Sequence, residues 1–458
     1  MITREQLVKK YVEMLRCGRA AAFLGAGVSK PVGFFDWREL LREPAKELGL
    51  DINKEHDLIG LAQMYVLRKG NRGRLTQEIL NHFGRDVAGT EIHRILAGLP
   101  VTKIWTTNYD LVIEETYRRE GIDCHVIRDD TALAYSNINA PVTVYKMHGD
   151  VSQLNDIVLT RDDYEFYDST RSAMSSAFYC ALVEYTFLFL GFSFNDPNLQ
   201  RVFGKIRAIF KENSREHFTI LREPQPRDED YQYEKNKFDL FVEDLKRYNI
   251  QTVAVKDYGE ITEILKDIEQ AYYRKSILVS GNGYRAGTGF DEQRLRDLCY
   301  RLGRYIIAGG YNLTSGLGPG ISALVLSGAM EELYRSGRRS EFHVRFNLFP
   351  FTGNQPEMRD RYTKGLMLKS GCCIFISSGG EDRAAVAAMM REYEKAGELG
   401  KIVVPVGVTG PVARQIWERE KRCYAGTKLE QAFDALGAGS KSNDEIIEAI
   451  FSIISELA

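Results

Sequence analysis

The sequence has seven cysteines in 458 residues, and no two of them are spaced C-x-x-C. That absence excludes a zinc ribbon or a dithiol redox centre built on the usual spacing. No apolar run reaches the length of a membrane span. The strongest, YTFLFLGF at 185–192, is short and predicts a buried strand. The first residues lack a signal-peptide core and place Leu7, Tyr11, Met14 and Leu15 on one helical face, which predicts a structural helix. Neither sign of charge dominates: 61 basic residues face 63 acidic ones, a formal net charge of −2. No nucleic-acid or membrane partner is expected on that balance. Two phosphate-loop signatures also fail. A dinucleotide fingerprint beginning at Gly25 needs glycine where Lys30 stands, and the Gly-Lys-Ser/Thr of a P-loop does not follow.

What is present describes a globular chain, 44% hydrophobic and 27% charged, long enough for two or three domains. Apolar strands running into glycine turns occur early, as AAFLGAGVSKPVG at 21–33, and again late, as RKSILVSGNGYRAG at 274–287. The amphipathic stretch EITEILKDIEQAYYRK lies just before the second, so the expected domains are 1–275 and 276–458. The polar, proline-containing segment 222–237 reads as a surface excursion of the first domain, because the strand-like IQTVAVKDYG follows it. Both halves alternate strands with helical patterns. The expected fold class is α/β, with two Rossmann-like domains, each a mainly parallel sheet flanked by helices. The adjacent Cys372 and Cys373 lie in an apolar strand and are expected to be buried, inert thiols of a reduced, cytoplasmic protein.

In the first half four strand ends run into polar or glycine-rich turns: FLGAGVS (23–29), KIWTTNYD (103–110), VYKMHGD (144–150) and LFLGFSFNDPN (188–198). A parallel sheet gathers such ends along one crevice, where ligands bind. They deliver Ser29, Thr106, Thr107, Asn108, Asp110, His148, Asp150, Ser193, Asn195 and Asp196. One imidazole, one amide, hydroxyls and carboxylates around a glycine loop suit a nucleotide whose ribose is to be activated. Singly, each has a plainer reading as a tight turn, an Asx turn or a helix cap. Their order and common placement argue for a site.

GAGVS, TTNYD, MHGD and GFSFND, in that order, resemble the motifs of the sirtuin superfamily across roughly residues 15–270. The resemblance implies that Gly25, Ala26, Gly27 and Ser29 cradle NAD+, the substrate. Asn108 and Asp110 would stand beside the nicotinamide and its ribose. His148 would be the catalytic base, and Gly191, Ser193 and Asp196 would approach the adenosine side. Deacylating sirtuins carry four zinc cysteines in an inserted module, and no such spacing exists here, so no metal is expected. What remains is cleavage of the nicotinamide–ribose bond with water as acceptor. The alternatives are an NAD-dependent protein deacylase without zinc and a non-catalytic module that binds NAD or ADP-ribose.

The second half offers SGNGYRAG (280–287), LTSGLGPGIS (313–322), CCIFISSGGEDRAAVAAMMREYEKA (372–396) and the basic EMRDRYTKG (357–365). Backbone amides at helix starts and arginine forks suit phosphate. This half resembles the SLOG superfamily of nucleotide sensors and hydrolases. The hydrolases' P-G-G-x-G-T-x-x-E motif is degraded here to SSGGEDRAAVAAMMREYE, with Glu392 the matching glutamate and Glu394 the other register. That favours sensing over a second N-glycosidase. The implied signal pocket comprises Gly281, Gly283, Arg285, Gly316, Gly318, Arg359, Arg361, Lys364, Gly379, Gly380 and Glu392.

A sirtuin-like domain followed by a SLOG domain is similar to the NAD-hydrolysing effectors of the Thoeris anti-phage system. That resemblance implies a TIR-domain partner protein whose product, a cyclic ADP-ribose isomer, binds the second domain and switches on the first. It further implies a homo-oligomer, a tetramer or a filament.

Overall fold

The computed structural model describes residues 1–135, 137, 139–281, 290–315, 320–338, 343–346, 356–376 and 383–457, with backbone alone at 345–346, 356–361 and 383–385. Seven strands form the first sheet: β1 (Ala20–Leu24), β2 (Lys103–Thr106), β3 (Cys124–Ile127), β4 (Val142–Lys146), β5 (Thr186–Leu190), β6 (His217–Arg222) and β7 (Ile250–Val255). Their order is β3-β4-β2-β1-β5-β6-β7, and every pairing is parallel. The central strands, AAAFL and TFLFL, are buried at every position, as a sheet covered by helices on both faces requires. β1, β2, β4 and β5 are contiguous, so the four polar strand ends do line one edge. After β4 the chain crosses to the far side of β1, which makes the β1–β5 boundary the switch point where such sheets bind ligands.

An aromatic cluster fills one face of this sheet. Phe23 packs on Phe178, Phe189 and Phe192 with ring centroids 5.8, 5.5 and 4.7 Å apart. The N-terminal helix Arg4–Arg16 begins in a Thr3–Gln6 capping box and buries Leu7, Tyr11, Val12 and Leu15. Val12 therefore takes the interior place expected of Met14, which is only half-buried. Segment 222–237 is not all excursion: a helix, Tyr231–Lys246, starts within it.

The chain divides into compact units Met1–Glu269 and Gln270–Ala458, a division that falls within the helix Gly259–Tyr273. The second unit carries β8 (Ser276–Ser280), β9 (Asn312–Ser315), β10 (Val344–Phe346), β11 (Cys372–Phe375) and β12 (Ile402–Pro405), ordered β10-β9-β8-β11-β12 and again all parallel. The helices Glu292–Ala308 and Ile321–Ser336 meet at Gly303 and Gly328. A Cβ on either would lie 1.9 Å from a carbonyl oxygen of the other helix. Cys372 and Cys373 are fully buried, and burial pushes the Cys373 thiol up to about 12. No helix among the described residues is long and apolar enough to cross a membrane.

Candidate active site

The turn after β1 and the turn after β5 are pressed together through glycine. The Gly25 amide donates to the Leu190 carbonyl at 2.9 Å, and the Gly27 amide donates to that of Gly191 at 3.0 Å. A Cβ on Gly25 would lie 2.4 Å from the Gly191 oxygen. One on Gly191, whose φ is +61°, would lie 2.6 Å from the Val28 nitrogen. The first demand on these glycines is thus the backbone seam between two loops. Beyond the seam, GFSFND alternates: Phe192 and Phe194 anchor in the aromatic core, while Gly191, Ser193 and Asn195 face outward.

Asn108 joins this seam to the turn after β2. Its backbone amide is held by the Thr106 hydroxyl at 2.9 Å, and its Nδ2 donates to the Gly25 carbonyl at 3.2 Å and to Ser29 Oγ at 3.3 Å. Asn108 is 6% exposed and Ser29 1%. Asp110, two residues on, spends its carboxylate locally by accepting from the Val112 amide at 3.0 Å. It holds the start of the helix Val112–Arg119 rather than reaching outward.

His148 arrives from the turn after β4 and is 1% exposed. Its ring packs edge-on against Tyr164 and Tyr167, with centroids 5.4 and 6.3 Å away. Nε2 stands 3.2 Å from Asp196 Oδ2. The contact is close without being an aligned hydrogen bond, and both ring nitrogens are closed off from solvent. Asp196 caps the helix Pro197–Phe210, its Oδ1 accepting from the Asn198 and Leu199 amides at 2.9 and 3.2 Å. Burial opposes its charge, but the adjacent His148 and the two capping amides together hold its carboxyl below the usual range. The four strand ends therefore bring Ser29, Asn108, His148 and Asp196 to one edge.

Behind that edge lies a buried charge network. Lys146 has no solvent exposure. Its Nζ lies 3.0 Å from Glu114 Oε1 and 3.8 Å from Asp150 Oδ2, and it donates to the Asp110 carbonyl. Asp150 also receives Arg128 Nε at 2.7 Å and both the amide and the hydroxyl of Ser152. Desolvation raises the Glu114 carboxyl against the pull of Lys146. The network clamps the Lys-Met-His-Gly-Asp turn from both sides of His148.

In the second unit Ser280, at the end of β8, donates to Glu392 Oε2 at 2.5 Å. Glu392 sits on the helix Arg383–Glu398, and burial pushes its carboxyl up. Gly281 follows, where a Cβ would lie 2.3 Å from the Ile376 carbonyl oxygen. Lys364 is exposed on the helix Pro356–Leu368, which also carries Arg359 and Arg361, whose side chains are not described. Gly283, Arg285, Gly316, Gly318, Gly379 and Gly380 lie outside the described residues.

Comparison with known proteins supplies the affiliation. The family model described as a SIR2-like domain matches residues 102–242, and that of the Sir2- and TIR-associating SLOG family matches 260–457. The chain is 34% identical to the NAD(+) hydrolase ThsA of Bacillus cereus over 99% of this chain and 98% of that protein. It is 35% identical to the NAD(+) hydrolase ThsA of Enterococcus faecium, over 99% of both chains. The chain belongs to the ThsA family. A further likeness, 25% identity to the Defense-associated sirtuin 2 of Bacillus subtilis, covers 48% of this chain and 22% of that protein.

In this ThsA family member the SIR2-like match begins just before β2, downstream of the glycine loop after β1, which the structure joins to it through Asn108. Sequence reasoning missed Lys146, Glu114, Arg128, Tyr164 and Ser280. Only Lys146 carried a signal, a charged residue ending an apolar strand two positions before the histidine. Asp196 was legible as a strand-end carboxylate, but not as the neighbour of His148.

Proposed function

We propose that this chain hydrolyses NAD+ to nicotinamide and ADP-ribose when a cyclic ADP-ribose isomer occupies its C-terminal unit. One observation carries the reading: Asn108 reaches both Ser29 and the Gly25 carbonyl at the strand edge to which the turn after β4 brings His148. The shared name of its ThsA relatives, NAD(+) hydrolase, supports the substrate. In this reading the NAD+ phosphates lie on Gly25, Ala26, Gly27 and Ser29, and the adenosine lies toward Gly191 and Ser193. The nicotinamide ribose rests beside Asn108, with Asp110 shaping the turn beneath it. The bond between C1′ and the nicotinamide nitrogen breaks, and its electron pair leaves with nicotinamide. Water adds to the cationic ribose, with net release of one proton. His148 accepts a proton from a ribose hydroxyl as the sugar becomes cationic, a contribution of about 10²–10⁴ in rate. Asn108 orients the ribose and the incoming water through its amide.

The regulatory half of the proposal rests on the Sir2- and TIR-associating SLOG match and on the Ser280–Glu392 pair at a strand edge. A TIR-domain partner protein supplies the isomer. Its pyrophosphate meets Arg361, Arg359, Lys364 and the glycine-loop amides, and its ribose hydroxyls meet Glu392. Shifting a 1:99 equilibrium to 99:1 needs about 5.5 kcal/mol of differential binding. A few charge-assisted hydrogen bonds of about 1.5–3 kcal/mol each supply that. A cytoplasmic homo-oligomer, tetrameric or filamentous, would sharpen the response and deplete cellular NAD+ in defence against phage.

The test is nicotinamide release from NAD+ by the purified chain, with and without a cyclic ADP-ribose isomer, for wild type, Asn108→Ala and His148→Ala. Release by wild type only with the isomer, and at a rate lowered by about 10²-fold or more in either variant, is expected. O-acyl-ADP-ribose formed with an acyl-lysine peptide would instead mark a deacylase. No release under either condition would refute the hydrolase.

A further inference from the structure

Asp196 uses its two carboxylate oxygens for different purposes. Oδ1 caps the helix Pro197–Phe210, which fixes the carboxylate in place. Oδ2 is directed to the histidine, 3.2 Å from Nε2, with the Tyr164 hydroxyl donating to the same oxygen at 3.4 Å. Tyr164 also packs edge-on against the imidazole, so ring and carboxylate share one clamp. The resemblance to sirtuins assigned Asp196 to the adenosine side of the nucleotide. In the structure its immediate polar neighbour is the proposed base.

We propose that Asp196 is a positioning residue for hydrolysis, acting through His148 rather than by binding the nucleotide. The proposal rests on the NAD+ hydrolase reading. The carboxylate keeps the imidazole proton on the nitrogen that faces it and leaves the lone pair on the other. That nitrogen, closed off in the substrate-free chain, takes the proton of the ribose hydroxyl once NAD+ binding opens it to the sugar, and the imidazolium so formed is paired with Asp196 until the proton returns to solvent. No other carboxylate among the described residues forms an ion pair with His148. The loose alignment seen without substrate is the usual state of a catalytic hydrogen bond, which tightens when substrate binds.

The experiment is steady-state nicotinamide release from NAD+ by the full chain, with a cyclic ADP-ribose isomer present, for wild type, Asp196→Asn, Asp196→Ser, His148→Ala and the double variant His148→Ala/Asp196→Asn. Asparagine and serine both cap helices well, so the fold is retained, as thermal melting will show. Asp196→Asn should lower kcat about 10²-fold with KM within about threefold of wild type. The double variant should be no slower than His148→Ala alone, because residues acting as one unit are not additive. A kcat near wild type with a raised KM would return Asp196 to the nucleotide and overturn the proposal. So would a double variant slower than His148→Ala by the full Asp196→Asn factor. No hydrolysis by wild type, or His148→Ala as fast as wild type, would overturn the hydrolase reading and the proposal with it. An inactive His148→Ala beside an unimpaired Asp196→Asn would overturn the proposal alone.

Discussion

Replacing Lys146 by methionine removes one positive charge from a place without solvent and leaves the volume of the stem almost unchanged. Three interactions go with it: the ion pair to Glu114 at 3.0 Å, the longer one to Asp150 at 3.8 Å and the hydrogen bond to the Asp110 carbonyl. Asp150 keeps Arg128 and Ser152, so the loss falls mainly on Glu114 and the orphaned carbonyl. Breaking a buried pair from one side costs about 3–5 kcal/mol. For a unit of this size each kcal/mol lowers the melting midpoint by about 2–4 °C, so a drop of about 10 °C is expected. Glu114 also fixes the sign of the pH dependence. Its carboxyl is already raised above the ordinary 4.5, and losing Lys146 raises it further. A raised carboxylate costs stability above its folded-state value, and the cost fades as pH falls toward the unfolded one. The gap between wild type and Lys146→Met should therefore narrow from pH 8 to pH 5. The assay is thermal unfolding followed by tryptophan fluorescence. Trp105 is buried and stacked at 4.0 Å on Tyr145, the residue before Lys146. Adding Glu114→Gln should recover more than half of the loss, because removing both charges leaves no buried charge unpaired, only the Asp110 carbonyl. A Lys146→Met midpoint within about 2 °C of wild type, or a double variant no more stable than the single, would refute the account.

Gly191→Ala should push the turns after β1 and β5 apart, since its Cβ would fall 2.6 Å from the Val28 nitrogen at a φ of +61°. A cost of about 1–3 kcal/mol and a several-fold rise in KM for NAD+ are expected. Unchanged stability and KM would mean that the seam yields freely. Ser280→Ala removes the donor 2.5 Å from Glu392 and should weaken binding of a cyclic ADP-ribose isomer by about five- to tenfold, read by isothermal titration. Unaltered affinity would take Ser280 out of the pocket.

The sheets were legible because AAAFL, TFLFL and CCIF are uninterrupted apolar runs bounded by glycine or polar residues, the pattern of strands buried on both faces. The site was legible for a related reason: each polar cluster follows directly on such a strand, and parallel pairing sends all those ends to one edge. Strand order was not legible, and everything that depends on it escaped. Lys146 meets Glu114 only because β2 and β4 are neighbours, and Asp196 meets His148 only across the edge of the sheet. The glycines after β1 were explained by a phosphate, whereas their nearest constraint is another backbone. At the amino terminus helical periodicity found the right face but misjudged its margin, choosing Met14 over Val12.

The pairing of Leu24 with Leu190 also sets a timetable for folding. One wall of the crevice is made early in synthesis and waits as an edge until β5 leaves the ribosome, with β6 and β7 still to follow. Such long-range parallel pairing is slow, because loop closure comes before the contacts that compensate for it. A nascent chain therefore carries the glycine loop, Asn108 and His148 without a crevice to use them in. Until β5 has emerged, the site has only one of its two walls.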